Sequence, residues 1–219
     1  MKNMKRLLSV ILCVLMSVEM SHAQTISFNV KDYGARGNGK RLDSPAIQRA
    51  IDACHRAGGG TVIVPPGTYL SATVELKDNV TLHLEKDALI LGTTDYKAYR
   101  NLDPFTEGLG IEVGWALLVA VDARNVGLTG EGTIDGQGSA LKERHIKEDK
   151  RPEKDRWGLR PFLLRWVRCQ GVTVKDVTLK YAGAWTSHYF QCTDVTIDRV
   201  TIRSVGCLLY TSPSPRDCS

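Results

Sequence analysis

Between Arg160 and Ser204 apolar and polar positions alternate in short runs, and the runs repeat. Cys169-Gln-Gly-Val172-Thr-Val174-Lys-Asp-Val177-Thr-Leu179 is followed by Cys192-Thr-Asp-Val195-Thr-Ile197-Asp-Arg-Val200-Thr-Ile202, each matched pair lying 23 residues apart. Alternation is the period of a strand, not of a helix. Its phase slips by one residue at Asp176 and at Arg199, which predicts a corner between two sheets. Shorter copies start at Asn79-Val80 and Asn125-Val126. Val80, Val126 and Val172 are 46 residues apart, which reads as two periods of 23. A fixed period built from short strands predicts an all-β solenoid, a right-handed parallel β-helix whose equivalent residues stack about 4.8 Å apart. The Val, Ile and Leu ladders should fill its core, with Thr173, Thr178, Thr196 and Thr201 facing out. Cys169 and Cys192 should be neighbours in one ladder, as buried free thiols in preference to a disulfide.

The pattern changes toward the N-terminus. Phe28–Val30 is a short strand, and Ser44-Pro45 opens a helix with Ser44 as N-cap and Pro45 in the first turn. Ala46, Ile47, Ala50, Ile51 and Cys54 line one helical face, and Gly58 ends the helix. A solenoid end exposes strand edges and an open core, so this helix is its expected cap. Strands are expected at Thr61–Val64, Thr73–Leu76, Val80–Leu84, Ala88–Leu91, Trp115–Val121 and within Asn125–Gly138, where Asp135 should stabilise a turn. Asp95–Gly114 is an irregular insertion. Ala140–Arg160 is a charged excursion carrying Lys142, Arg144, Lys147, Lys150, Arg151, Lys154, Arg156 and Arg160. It takes the place of a coil; it is either a solvated loop or a groove wall for an acidic polymer.

Both ends read differently from the middle. Lys2, Lys5 and Arg6, the apolar run Leu7–Val18 and Ser21-His22-Ala23 form a signal peptide over residues 1–23, so the protein is expected to be exported to the periplasm or beyond the cell. No other segment could span a membrane. Residues 207–219 lack the ladder phase and read as a translated sequencing adapter, leaving 24–206 as a partial β-helix domain of a protein that continues differently in nature. Of the formal net charge of +5, the leader carries +2 through Lys2, Lys5, Arg6 and Glu19, leaving +3 for the body. That excess suits an anionic ligand without demanding one. Outside the two ends only Cys54, Cys169 and Cys192 remain, which is no disulfide framework and no metal-ligand spacing; neither metal nor cofactor is expected. Gly34–Lys40 approaches a phosphate-binding loop, but Arg41 stands where Ser or Thr is needed, so neither nucleotide nor nucleic acid is an expected partner.

Four stretches together resemble glycoside hydrolase family 28, the polygalacturonase-like enzymes. They are the cap, from Asn29-Val-Lys-Asp-Tyr-Gly-Ala35 through Val64-Pro-Pro-Gly-Thr-Tyr69; Gly130-Glu-Gly-Thr-Ile-Asp-Gly-Gln-Gly138; Arg160-Pro161; and the coil around Ala184-Trp185-Thr-Ser-His188-Tyr189. The resemblance covers about Ile26 to Ser204. It departs at Tyr181-Ala-Gly-Ala-Trp185, where many members read Asn-Ser-Pro before the aromatic residue. It implies a secreted enzyme that hydrolyses α-linked galacturonate or rhamnose-containing pectin chains with inversion, using one carboxylic acid and one carboxylate base. The family's aspartates lie in an Asn-x-Asp segment and an Asp-Asp pair, followed by Gly-His-Gly and Arg-x-Lys segments that hold the uronate. None of these segments is identified in the sequence, and all would begin just after Ser204, so no catalytic residue is assigned and the polypeptide as written is expected to be inactive. Trp185, His188, Tyr189 and, more weakly, Arg160 are the candidate substrate contacts, stacking one coil before the missing segment. The implied partner is pectin, an acidic plant cell-wall polysaccharide, met by a protein that is monomeric at full length. Two other readings fit a β-helix: a pectate-lyase-like enzyme with a clustered-acid calcium site, and a non-catalytic adhesive or tailspike coil.

Overall fold

The computed structural model describes residues 26–108 and 110–204. The signal-peptide and adapter readings therefore lie outside the described residues. The chain winds through successive rungs of a right-handed parallel β-helix. The first rung holds β1 (Ser27–Asn29), β2 (Asn38–Leu42) and the helix α1 (Ser44–Arg56). The second holds β3 (Gly60–Val64), β4 (Gly67–Ser71) and β5 (Val74–Glu75). Next come β6 (Val80–Leu84), β7 (Ala88–Gly92), an arm strand β8 (Arg100–Thr106) and β9 (Glu112–Val121). The fourth rung runs β10 (Arg124–Gly130), β11 (Thr133–Asp135), the helices α2 (Gly138–Glu148) and α3 (Glu153–Trp157), then β12 (Phe162–Val167). It is followed by β13 (Gln170–Lys175), β14 (Thr178–Lys180) and β15 (Ser187–Phe190), then by β16 (Thr193–Asp198) and β17 (Thr201–Arg203).

Three parallel sheets result: β1-β3-β6-β10-β13-β16, β2-β4-β7-β11-β14-β17 and β5-β9-β12-β15. Val172 pairs with Val195 and Leu179 with Ile202, as the 23-residue register requires. Val62, Leu82, Leu128 and Val174 stack in one inward column and are fully buried or nearly so. The predicted corners are real. Asp176 and Arg199 both take positive φ (65° and 49°) between the first and second sheets, and an ion pair of 2.5 Å joins them.

One spacing was misread. Val126 pairs directly with Val172, and the register Leu82 to Leu128 places Val80 beside Val126. A spacing of 46 is thus one long rung, not two short ones. The surplus is spent between the second and third sheets, where β8 and then α2 and α3 leave the coil. No coil is missing near residue 148. The insertion expected to be irregular contains β8, which pairs antiparallel with β9, and the charged excursion is helical instead of a loop.

A second corner shows why particular residues recur. Gly59 and Asn79 immediately precede β3 and β6, and Asn125, Gly171 and Asp194 are the second residues of β10, β13 and β16; all have positive φ, between 51° and 116°. Asn, Asp and Gly tolerate this region best. A Cβ at Gly59 would come within 2.5 Å of Asn79, so that rung needs glycine. Asn125 Nδ2 donates to Asn79 Oδ1 at 2.9 Å, so the side chains also form a ladder.

The cap is as the pattern predicts on its buried face: Ala46, Ile47, Ala50, Ile51 and Cys54 are all buried against the first rungs. Its start differs. Asp43, not Ser44, is the N-cap residue, and its carboxylate turns away from the helix. It accepts from the amides of Arg36 (2.8 Å) and Gly37 (2.9 Å), so the loop resembling a phosphate cradle is already filled by a carboxylate. Ser44 Oγ instead accepts from Ala72 N at 3.3 Å. Cys54, Cys169 and Cys192 are free thiols, the first two buried and Cys192 only partly so. At the last described rung the inward ladder surfaces: Val195, Ile197 and Ile202 are exposed.

Candidate functional site

The third sheet is where the solenoid departs from plain repetition. All six residues of β12 are buried, because one face meets the core and the other is roofed by the β8–β9 arm. A strand covered on both faces can be continuously apolar, and Phe162-Leu163-Leu164-Arg165-Trp166-Val167 is so except at Arg165. Arg165 is 1% exposed. Its Nη2 donates to Asp103 Oδ2 at 3.1 Å, its Nη1 donates to the carbonyl of Gly114 at 3.4 Å, and its Nε is buried without a partner. The guanidinium lies 5.1 Å from the ring centre of Phe105 and 6.0 Å from that of Phe162. Asp103 Oδ1 also accepts from Arg168 Nη2 at 3.0 Å, and Arg168 in turn holds Asp122. This chain of charges pins the arm to the sheet.

Beside the pin runs a strip of rings. Trp185 stacks on Phe162 (4.9 Å between centres, 6° between planes), and His188 stacks on Phe105 (5.6 Å, 4°). His188 lies 5.5 Å from Trp185 and 6.2 Å from Phe190. Trp185 and Phe190 are 36% and 46% exposed, so the strip presents ring surface to solvent at both ends. Burial, then the charge of Arg165, holds the His188 imidazole below its usual range, with Asp103 opposing. His188 Nδ1 is buried and unpartnered.

The structure thus brings together two of the four sequence candidates, Trp185 and His188. Tyr189 does not join them. In the register His188 pairs with Arg165 on the outer face while Tyr189 pairs with Trp166, and Tyr189 packs on the main core. Successive residues of a strand face opposite ways, so a choice of both neighbours could not hold. Arg160 is on the wall of a cavity formed with α2 and α3. Asp135 accepts from Gln137 N at 2.8 Å, the turn role expected of it.

Phe105, Phe162, Arg165, Asp103 and Phe190 were not singled out from sequence. Carrying the 23-residue register back one rung sets Phe162 under Trp185 and Arg165 under His188, so those two were within reach. Asn101-Leu-Asp103 does spell Asn-x-Asp, but Asn101 Nδ2 donates to the carbonyl of Val113 at 3.2 Å and Asp103 is bound to two arginines. It is a structural pin. Among the described residues no group of three or more His, Cys, Asp or Glu could hold a metal ion, and no helix is long and apolar enough to cross a membrane.

Residues 27–210 match the family described as rhamnogalacturonase A/epimerase, pectate lyase-like, and the chain belongs to that family, on its polygalacturonase-like side. An exopolygalacturonase of Zea mays is 29% identical over 82% of this chain and 41% of its own length. The structure of a hyperthermoactive exopolygalacturonase from Thermotoga maritima superposes with a TM-score of 0.67 at 28% identity, covering 83% of this chain and 47% of that one. The plasmin and fibronectin-binding protein A of Streptococcus pneumoniae is 37% identical over 70% of this chain and 21% of its own length; as a surface adhesin structure it has a TM-score of 0.54. The chain spans less than half the length of these curated relatives.

Proposed function

We propose that this protein is an exported, inverting glycoside hydrolase of pectin, and that the Trp185–His188–Phe190 strip is part of the surface on which a galacturonate-containing chain lies. The observation that carries the reading is the strip itself: exposed ring faces in line along one sheet, within a polygalacturonase-like family. Ring faces pack against the apolar faces of sugars, and a sheet rung sets their spacing. Inversion needs two carboxyl groups about 6.5–9.5 Å apart, one acid and one base. In the family these come from an Asn-x-Asp segment and an Asp-Asp pair; the Asn-x-Asp of this sequence is the Asp103 pin and it has no Asp-Asp pair, so the polypeptide of 219 residues is expected to bind pectin without cleaving it.

The test is calorimetric titration of the full chain with oligogalacturonate, alongside a reducing-sugar assay. Binding that Trp185→Ala weakens, with no sugar release, supports the reading. Binding untouched by Trp185→Ala removes the strip from it, and sugar release by this chain removes the assignment of chemistry to absent segments. The similarity to the pneumococcal protein favours a second reading, a β-helix that binds protein ligands without catalysis. Absence of any oligogalacturonate binding would turn the choice that way.

A further inference from the structure

The connection from β14 to β15 carries an aromatic residue that the strip does not use. Tyr181 directly follows β14, and it is 38% exposed. With Asp135, Gln137, Ser139 and Ala140 it lines an open cavity of about 380 Å³. Cavities of this size take small ligands. The fold itself does not call for a ring at this corner. The register sets Tyr181 beside Gly136, and Gly136 beside Gly92, so the two rungs before it have glycine there. Tyr181 also has a φ of 47°, and of the eleven non-glycine residues with positive φ among the described residues it alone is aromatic. A bulky side chain seldom occupies that region, and one held there while exposed points to a role other than packing.

The polar groups of the wall are only partly used. Asp135 Oδ1 accepts from Gln137 N at 2.8 Å, and Gln137 Nε2 donates to the carbonyl of Gly92 at 2.6 Å, so both side chains are held in place. Asp135 Oδ2, Gln137 Oε1, Ser139 Oγ and Tyr181 Oη make no hydrogen bond to other described residues. A part-exposed ring with a carboxylate, an amide and hydroxyls about it suits a ligand that has an apolar face and a rim of hydroxyls. No lysine or arginine lines the cavity, and Asp135 gives it negative charge, so an anionic sugar is disfavoured there.

We propose that the cavity of Tyr181, Asp135, Gln137 and Ser139 is a binding site for a neutral sugar, with the Tyr181 ring against one face of the pyranose and Asp135 accepting from its hydroxyls. The class of ligand rests on the polysaccharide reading above. The site does not depend on the strip, and it differs from the strip in selecting a sugar without charge. Hydrogen bonds from hydroxyls to a carboxylate are charge-assisted, so Asp135 contributes both the strongest contact and the selection.

The experiment is titration of the full chain, followed by NMR, with methyl α-galactopyranoside and with methyl α-galactopyranosiduronate, which differ only in the carboxylate. The galactoside should bind with a Kd of about 1 mM, as befits a ligand of its size, and the uronate about tenfold more weakly. Tyr181→Asn removes the ring and keeps a residue that tolerates this φ; Asp135→Asn keeps an acceptor for Gln137 N. Each should weaken the galactoside about tenfold, and Asp135→Asn should also abolish the preference over the uronate. Ser139→Ala, at an exposed position, leaves folding intact and should weaken the galactoside several-fold. Trp185→Ala should leave galactoside binding unchanged. Galactoside binding that survives both Tyr181→Asn and Ser139→Ala overturns the site, and binding lost in Trp185→Ala assigns the sugar to the strip instead. Equal affinity of the unaltered protein for the two sugars overturns the selection of a neutral ligand. No galactoside binding at about 10 mM overturns the cavity whatever oligogalacturonate does. Galactoside binding without oligogalacturonate binding removes the strip and leaves the cavity standing.

Discussion

Replacing Asp103 with Ala removes the pin between the arm and the third sheet, and the size of the effect can be worked out. Asp103 Oδ2 is 3.1 Å from Arg165 Nη2, and the arginine side chain is 1% exposed against 23% for the aspartate. Unit charges at that separation attract by about 5 kcal/mol at an effective dielectric constant of about 20. Removing one partner of a buried pair costs roughly 3–5 kcal/mol, because the other charge stays buried. Partial exposure of Asp103 puts the expectation at the low end, about 3 kcal/mol. With a urea dependence of about 2 kcal/mol per molar, the unfolding midpoint should fall by about 1.5 M. Adding Arg165→Met should recover most of this. The Phe105 and Phe162 rings already flank the arginine, and the double variant buries no unpaired charge. Urea unfolding followed by tryptophan fluorescence gives both numbers. A midpoint shift under about 0.3 M for Asp103→Ala would refute the pin, and a double variant no more stable than the single one would refute the buried-charge account.

Other consequences follow from the same geometry. Asn125→Ala places a Cβ without a polar partner at a φ of 51° and breaks the bond to Asn79; it should cost about 1–2 kcal/mol, and Asn125→Gly less, by thermal or urea unfolding. Burial pushes the thiols of Cys54 and Cys169 up, so among the three cysteines of the described residues a thiol reagent at neutral pH should modify partly exposed Cys192 first and reach Cys54 and Cys169 only on unfolding; mass mapping of early adducts on those three peptides checks the order. His145 and His188 both have folded pKa values below the unfolded one. The unfolded chain therefore binds more protons as pH falls through about 6.5. The stability that both contribute is complete above that pH and is lost below it, with a slope of at most about 1.4 kcal/mol per pH unit for each histidine. His145→Phe, which keeps a ring against Tyr96, should flatten the acid side of a stability–pH curve, and an unchanged curve would exclude His145 as a source.

How far these features could be read from sequence depended on whether they repeat. The core ladders, the buried face of α1 and the corners at Asp176 and Arg199 recur in register or follow one local period, and all are found where the pattern sets them. The arm strand β8 does not repeat. It holds Pro104, which a strand tolerates at an edge, and its anchors are contacts to Phe162, Arg165 and His188 more than fifty positions away. The helix α2 buries only Gly138, Leu141 and His145, too few to give an amphipathic signal. The spacing of 46 misled for a related reason: an arm and a helical excursion of similar length each happen to add about one rung's worth of chain to their coils. Within the site, alternation on β15 separates His188 from Tyr189, a distinction the 23-residue register already contained once Arg165 and Trp166 are set beneath them.

The most direct measurement of the central claim is a crystal structure of this chain with an oligogalacturonate. The account places sugar rings along the outer face of the third sheet, against Trp185 and Phe190. Ligand bound instead on the first or second sheet, with that strip left bare, would contradict it.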